Sequence, residues 1–208
     1  MSETITHFVD SRPEGLDPSQ PLVVLLHGYG SNENDLVPLM NYLPGNFAWV
    51  SLRAPLDSQY GGYAWAPIIT PGNPRVEDIE PATARLWSWI DANIPAETPL
   101  VLIGFSQGGL MATQLLRTRP RRILATVILA GFVLNAEQPG DLELEATRPR
   151  VIYCRGLSDQ VIAADAVVRT EAWLARCTSA LTPTYTGLGH SIDERVIQDV
   201  SEYLRDYA

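Results

Sequence analysis

The sequence predicts an α/β fold, a mostly parallel central sheet with helices on both faces, formed as a single domain over residues 1–208. Three observations lead there. Short, wholly apolar runs such as Leu22-Val23-Val24-Leu25-Leu26 and Val101-Leu102-Ile103 read as strands buried on both faces, as in parallel sheets. These runs alternate with stretches of helical periodicity, the pattern of a sheet covered by its own crossover helices. A chain of 208 residues fits one domain and buries about 70% of its unfolded surface without disulfide or metal staples.

The elements follow in order. Strands are expected near 5–9, 22–27, 47–52, 99–105, 123–130, 150–155 and 181–186. Helices are expected near 34–43, 78–93, 107–118, 162–177 and 191–206. In the first helix Pro38 is tolerable in the opening turn if the helix begins near Asp35. The third helix is the run from Leu110 to Leu116, and it ends in Arg117-Thr118-Arg119-Pro120-Arg121-Arg122. Cations there offset the helix dipole, so this basic cluster reads as a solvated helix terminus. The strand near 150–155 is the buried run Val151-Ile152-Tyr153-Cys154, and the last strand is the extended Thr182-Pro183-Thr184-Tyr185-Thr186. Ser191 and Glu194 form an S-x-x-E capping box that should start the final helix.

The most informative segment is Gly104-Phe105-Ser106-Gln107-Gly108-Gly109. An apolar strand runs into a Gly-x-Ser-x-Gly turn and a helix follows at once, the context of a nucleophile elbow. Such a turn holds its serine in strained backbone, with the hydroxyl projecting from the sheet edge, and glycines around it avoid collisions. Proteins built on this elbow order their groups as serine, acid, histidine. After Ser106 the only histidine is His190, on a glycine-flanked loop before the last helix. The acid should follow a strand, and Asp159 does, in Arg155-Gly156-Leu157-Ser158-Asp159-Gln160. Asp141, in a polar loop, and Asp165, inside the next helix, compete less well.

Those residue types define a chemistry. Ser106 is a weak nucleophile that needs a base, which His190 supplies, while Asp159 orients the imidazole and stabilises its cation. The oxyanion of a tetrahedral intermediate needs preorganised donors. The backbone N–H of Gln107 is one candidate, and the N–H of Tyr29, in His27-Gly28-Tyr29-Gly30 after an early strand, is the second. His27 precedes the serine and reads as structural, its ring bonded to loop backbone.

On these motifs, with Asn34-Asp35-Leu36 and Gly189-His190-Ser191, the chain resembles the phospholipase/carboxylesterase family of serine hydrolases, which includes the acyl-protein thioesterases. The resemblance spans about residues 21 to 205. It implies an α/β-hydrolase fold, esterase activity, no cofactor, a Ser106–Asp159–His190 triad and oxyanion donors at Tyr29 and Gln107. Two stretches depart from members acting on long acyl chains. Tyr29-Gly30-Ser31 stands where those carry Leu-Gly-Asp, and Tyr63-Ala64-Trp65-Ala66-Pro67 replaces a Trp-Phe-Asp stretch.

The segment 53–77, rich in proline and glycine, leaves a strand at its carboxyl end with Tyr60, Tyr63, Trp65, Ile68 and Ile69. It reads equally as an aromatic lip on the substrate site and as an ordered loop packed on the body. Tyr63, Trp65 and Phe132 are the candidate substrate contacts. Residues 131–149 are too few for a lid domain, which favours an open site and short- to medium-chain esters.

The net charge of −9 argues against nucleic acid and anionic membrane surfaces. No run approaches a membrane span, the N-terminus lacks a secretory pattern, and Cys154 and Cys177 do not suggest a disulfide scaffold. A cytoplasmic protein with a small-molecule ester substrate and no metal site is expected. The sequence leaves the oligomeric state open, a homodimer included.

Overall fold

The structure is a computed structural model that describes residues 4–12, 17–45, 47–59 and 61–208. Its elements in chain order are β1 (Phe8–Asp10), β2 (Leu22–Leu26), β3 (Ala48–Leu52), β4 (Leu56–Asp57), β5 (Tyr63–Ala64), α1 (Val76–Asn93), β6 (Leu100–Phe105), α2 (Gln107–Thr118), β7 (Ile123–Leu129), α3 (Asp141–Thr147), β8 (Arg150–Gly156), α4 (Ala164–Cys177), β9 (Ser179–Leu181), β10 (Thr184–Tyr185) and α5 (Glu194–Leu204). The main sheet runs β1-β3-β2-β6-β7-β8-β10, with β9 also on β8. Only β1 is antiparallel to its neighbour there. β4 and β5 form a separate hairpin. This is the α/β-hydrolase architecture, and the fold class read from the sequence stands.

Strand alternation sorts the core into two layers. Leu22, Val24 and Leu26 of β2 and Leu100 and Leu102 of β6 pack with α1, α2 and the start of α4. Their neighbours Val23, Leu25, Val101 and Ile103 face α5 and the 3-10 helix Val37–Tyr42. No helix among the described residues is long and apolar enough to cross a membrane.

The order of the strands places the site. The chain passes from β2 outward to β3, then returns to the other side of β2 as β6. Ligands in open α/β sheets gather outside the carboxyl ends at such a reversal. The parallel register runs from Leu22↔Leu100 to Leu26↔Gly104, so the loops after β2 and β6 leave the sheet side by side.

Four local expectations change. The stretch 34–43 is not an α-helix but the 3-10 helix Val37–Tyr42, with Pro38 in its first turn and an extended Leu43 before Pro44. The final helix is capped by Asp193, whose carboxylate accepts from the N–H groups of Arg195 and Val196, and not by Ser191. The strand near 181–186 is two pieces, because Pro183 has no N–H to give the ladder. Asp141 lies in α3 rather than in a polar loop.

Candidate active site

Ser106 closes β6 and precedes α2, with φ 54° and ψ −115°. Positive φ in a residue with a Cβ costs about 1–3 kcal/mol and persists only where surroundings enforce it. Here the Ser106 N–H is held by Leu129 O at 2.9 Å, and its carbonyl accepts from Leu110 N at 3.1 Å. Close approach explains the glycines. A Cβ on Gly104 would overlap the Gly108 carbonyl, and one on Gly108 would overlap the carbonyls of Leu26 and His27. Gly108→Ala should therefore cost several kcal/mol, as overpacking against rigid backbone does. Urea denaturation showing a loss under about 1 kcal/mol would contradict that packing.

His190 and Asp159 meet. His190 Nδ1 lies 2.8 Å from an Asp159 carboxylate oxygen, with the aspartate side chain 4% and the histidine 15% exposed. The other Asp159 oxygen accepts from the N–H groups of Val161 (2.8 Å) and Ile162 (3.2 Å), so the carboxylate is fixed from both sides. The two loops are tied to each other, since Ser158 N donates to Leu188 O at 2.9 Å. The His190 ring packs on Phe105, next to the serine, with centroids 4.9 Å apart. No hydrogen bond joins Ser106 Oγ to His190 among the described residues; in resting sites such bonds are commonly long and tighten with substrate.

The loop after β2 leaves the Tyr29 N–H without a hydrogen-bond partner among the described residues, while its neighbours are engaged: Gly30 N donates to Tyr63 O (2.8 Å) and Ser31 N to Gly28 O (3.3 Å). Gln107 begins α2, and its buried side chain is a brace. Its Oε1 accepts from Trp65 N (2.9 Å), and its Nε2 donates to Ala66 O (2.7 Å).

His27 is fully buried. A carbonyl only accepts, so His27 Nδ1 carries the proton it gives to Gly28 O (2.7 Å), and Nε2 accepts from Ala54 N (3.1 Å). Burial pushes its pKa below the ordinary value. The ring therefore stays neutral where an unfolded histidine, with a pKa of about 6.5, becomes charged. Stability from His27 is present above about pH 6.5 and is lost as pH falls toward the depressed folded value. Nitrogen-15 NMR should show the Nδ1–H tautomer at neutral pH, and a ring titrating near the unperturbed value would contradict this.

Sequence reasoning missed the ion pair beside that loop. Buried Glu33 takes a bidentate grip from Arg53, with Nε at 2.6 Å, and Arg53 also donates to the Tyr63 hydroxyl at 3.1 Å. Tyr63 is thereby tied to the scaffold, and its N–H donates to Ser31 O at 2.8 Å. Trp65 is corrected. It is 1% exposed, and its indole N–H donates to His27 O at 2.8 Å, so it is core and not a substrate lip. Phe132 is corrected likewise, being 8% exposed within the same apolar layer. Tyr60 lies outside the described residues.

The competing aspartates separate cleanly. Asp165 is exposed on α4, near Arg169. Asp141 is buried against Arg117, with Nε–Oδ1 at 2.9 Å and Nη2–Oδ2 at 2.7 Å. Arg117 is 2% exposed, so the basic run does not begin at a solvated terminus. Its remaining donors hold Leu134 O and Ala136 O, pinning the segment after β7.

The sequence profile of the phospholipase/carboxylesterase family matches residues 13–207. The chain is 31% identical to the esterase YpfH of Escherichia coli (strain K12), over 96% of this chain and 87% of that protein. It is 22% identical to a probable carboxylesterase, SOBER1-like, of Arabidopsis thaliana, over 90% of this chain and 79% of that one. The crystal structure of the Bacillus cereus carboxylesterase superposes with a TM-score of 0.78 at 20% identity, covering 97% of this chain and 94% of that one.

Proposed function

The chain belongs to the phospholipase/carboxylesterase family and is a hydrolase of that family, and on that footing we propose that it hydrolyses short- to medium-chain carboxylic esters through Ser106, His190 and Asp159. The observation that carries this reading is the fixed Asp159–His190 pair, with its ring on Phe105 beside the strained Ser106.

In the mechanism, Ser106 Oγ attacks the ester carbonyl while His190 Nε2 takes its proton. The carboxylate of Asp159 keeps the Nδ1–H tautomer and stabilises the imidazolium. The N–H groups of Tyr29 and Gln107 hold the oxyanion, their positions set by the side-by-side ends of β2 and β6. His190 returns the proton to the departing alcohol and then activates water against the acyl-enzyme. No cofactor is needed for these steps. Between β7 and β8 lies only the seven-residue α3 and its connections, pinned by Arg117, which supports an uncovered site. With Trp65 and Phe132 in the core, the exposed apolar side chains flanking Asp159 are Leu157 and Val161, a small surface for an acyl chain.

Hydrolysis of p-nitrophenyl esters from acetate to palmitate tests the proposal. The expected kcat/KM is highest at short to medium chains and falls toward palmitate. A rate that climbs with chain length replaces it by a thioesterase or lysophospholipase reading. No turnover by folded protein points to a non-catalytic binder.

A further inference from the structure

The edge of the sheet is interrupted where β9 gives way to β10. β9 pairs with Arg150–Ile152 of β8, and β10 pairs with Arg155 and Gly156 in the same register. Thr182 and Pro183 therefore stand opposite Tyr153 and Cys154 without a ladder, since Pro183 has no N–H to donate. On the α4 side of this break lies a cleft of about 540 Å³, lined by Tyr153, Arg155, Arg148, Glu171, Thr182 and Thr184 among others. None of its lining residues belongs to the triad or the oxyanion loops.

Two donors on residues that line this cleft have no partner. The Tyr153 hydroxyl and the Arg155 Nε–H are buried and unbonded among the described residues, and Tyr153 as a whole is 2% exposed. Buried polar groups in native proteins are nearly always satisfied. An arginine Nε–H only donates, so what satisfies it is an acceptor. Arg155 keeps its Nη2 on Glu171 at 3.2 Å, and Arg148 holds the last carbonyls of α4. Two guanidiniums against one carboxylate leave the cleft with a surplus positive charge, in a chain whose net charge is −9.

We propose that this cleft is a second binding site, distinct from the ester site, for a small oxyanion: a phosphate or carboxylate group held between the Tyr153 hydroxyl and Arg155 Nε. Charge-assisted bonds from arginine to such oxygens are the strong class of hydrogen bond. The threonine hydroxyls at the break offer further neutral donors.

Calorimetric titration of the full chain with inorganic phosphate and, separately, with succinate tests it. Binding of either ion at a stoichiometry of one is expected, and the two titrations distinguish phosphoryl from carboxylate ligands. Arg155→Gln should weaken binding about tenfold or more, and Tyr153→Phe severalfold. The Tyr153→Phe protein should hydrolyse esters as the parent does. If Arg155→Gln fails to fold, Tyr153→Phe alone decides. The proposal is overturned if the parent binds neither ion at about 10 mM, which would leave water to serve these donors. It is equally overturned if the folded variants bind as tightly as the parent.

Discussion

Ser106→Ala should lower kcat/KM for p-nitrophenyl acetate by about 10⁴-fold or more, with the protein still folded. The substitution removes one oxygen and leaves the elbow backbone, which is held by Leu129 O and Leu110 N. The proposed nucleophile, base and orienting acid act as a unit. His190→Ala should therefore fall into the same range, and the double variant should be hardly worse than either. Asp159→Asn should cost about 10⁴-fold through a different route, since an amide favours the wrong tautomer on His190 Nδ1. What survives, roughly 10³-fold over water, measures the oxyanion donors and substrate binding alone. A Ser106→Ala enzyme that keeps more than about a tenth of its activity would remove the serine from the mechanism.

Asp141→Ala should destabilise the fold by about 3–5 kcal/mol, because it leaves Arg117 buried without its counter-charge. Asp141 accepts four hydrogen bonds: two from Arg117, one from Trp173 Nε1 and one from Gln138 N. Burial on its own would raise the Asp141 pKa, but Arg117, with the Gln138 N–H and the Trp173 indole, outweighs it and holds the carboxyl below its ordinary value. The folded pKa is thus depressed, so the pair's contribution is complete above the unfolded pKa of about 3.9 and is lost as pH falls through the folded value. Urea denaturation near pH 7 should show the full loss, and the difference between parent and variant should shrink in acid. Replacing both partners by apolar residues, Arg117→Met with Asp141→Leu, should recover much of it, since the unpaired charge is the main cost. A loss below about 1 kcal/mol for Asp141→Ala would show that water reaches Arg117.

The proposed site was largely legible in the chain. Ser106, Asp159 and His190 each sit just past a strand, and local patterns mark strand ends well. The pairing of His190 with Asp159 needed only the order of groups along the chain and a parallel sheet to bring their loops together. The substrate contacts were less legible. Trp65 sits in a proline-rich loop among exposed isoleucines, and no local pattern distinguishes an aromatic that folds inward to donate to His27 O from one that stays at the rim. The start of the last helix is ambiguous in the sequence for a related reason, since Ser191 and Asp193 both offer a capping oxygen and only the path of the chain selects the aspartate.

By itself the sequence determined the α/β class, the strand-to-helix alternation and the elbow, because each depends on periodicity or glycine within a few residues. The tertiary structure alone decided which charges are buried. Arg117 and Asp141 are 24 positions apart and Glu33 and Arg53 are 20 apart, and each reads locally as a solvated side chain. A charge enters the interior only where its partner arrives with it, and that meeting is a property of the packed sheet and its loops, not of either segment.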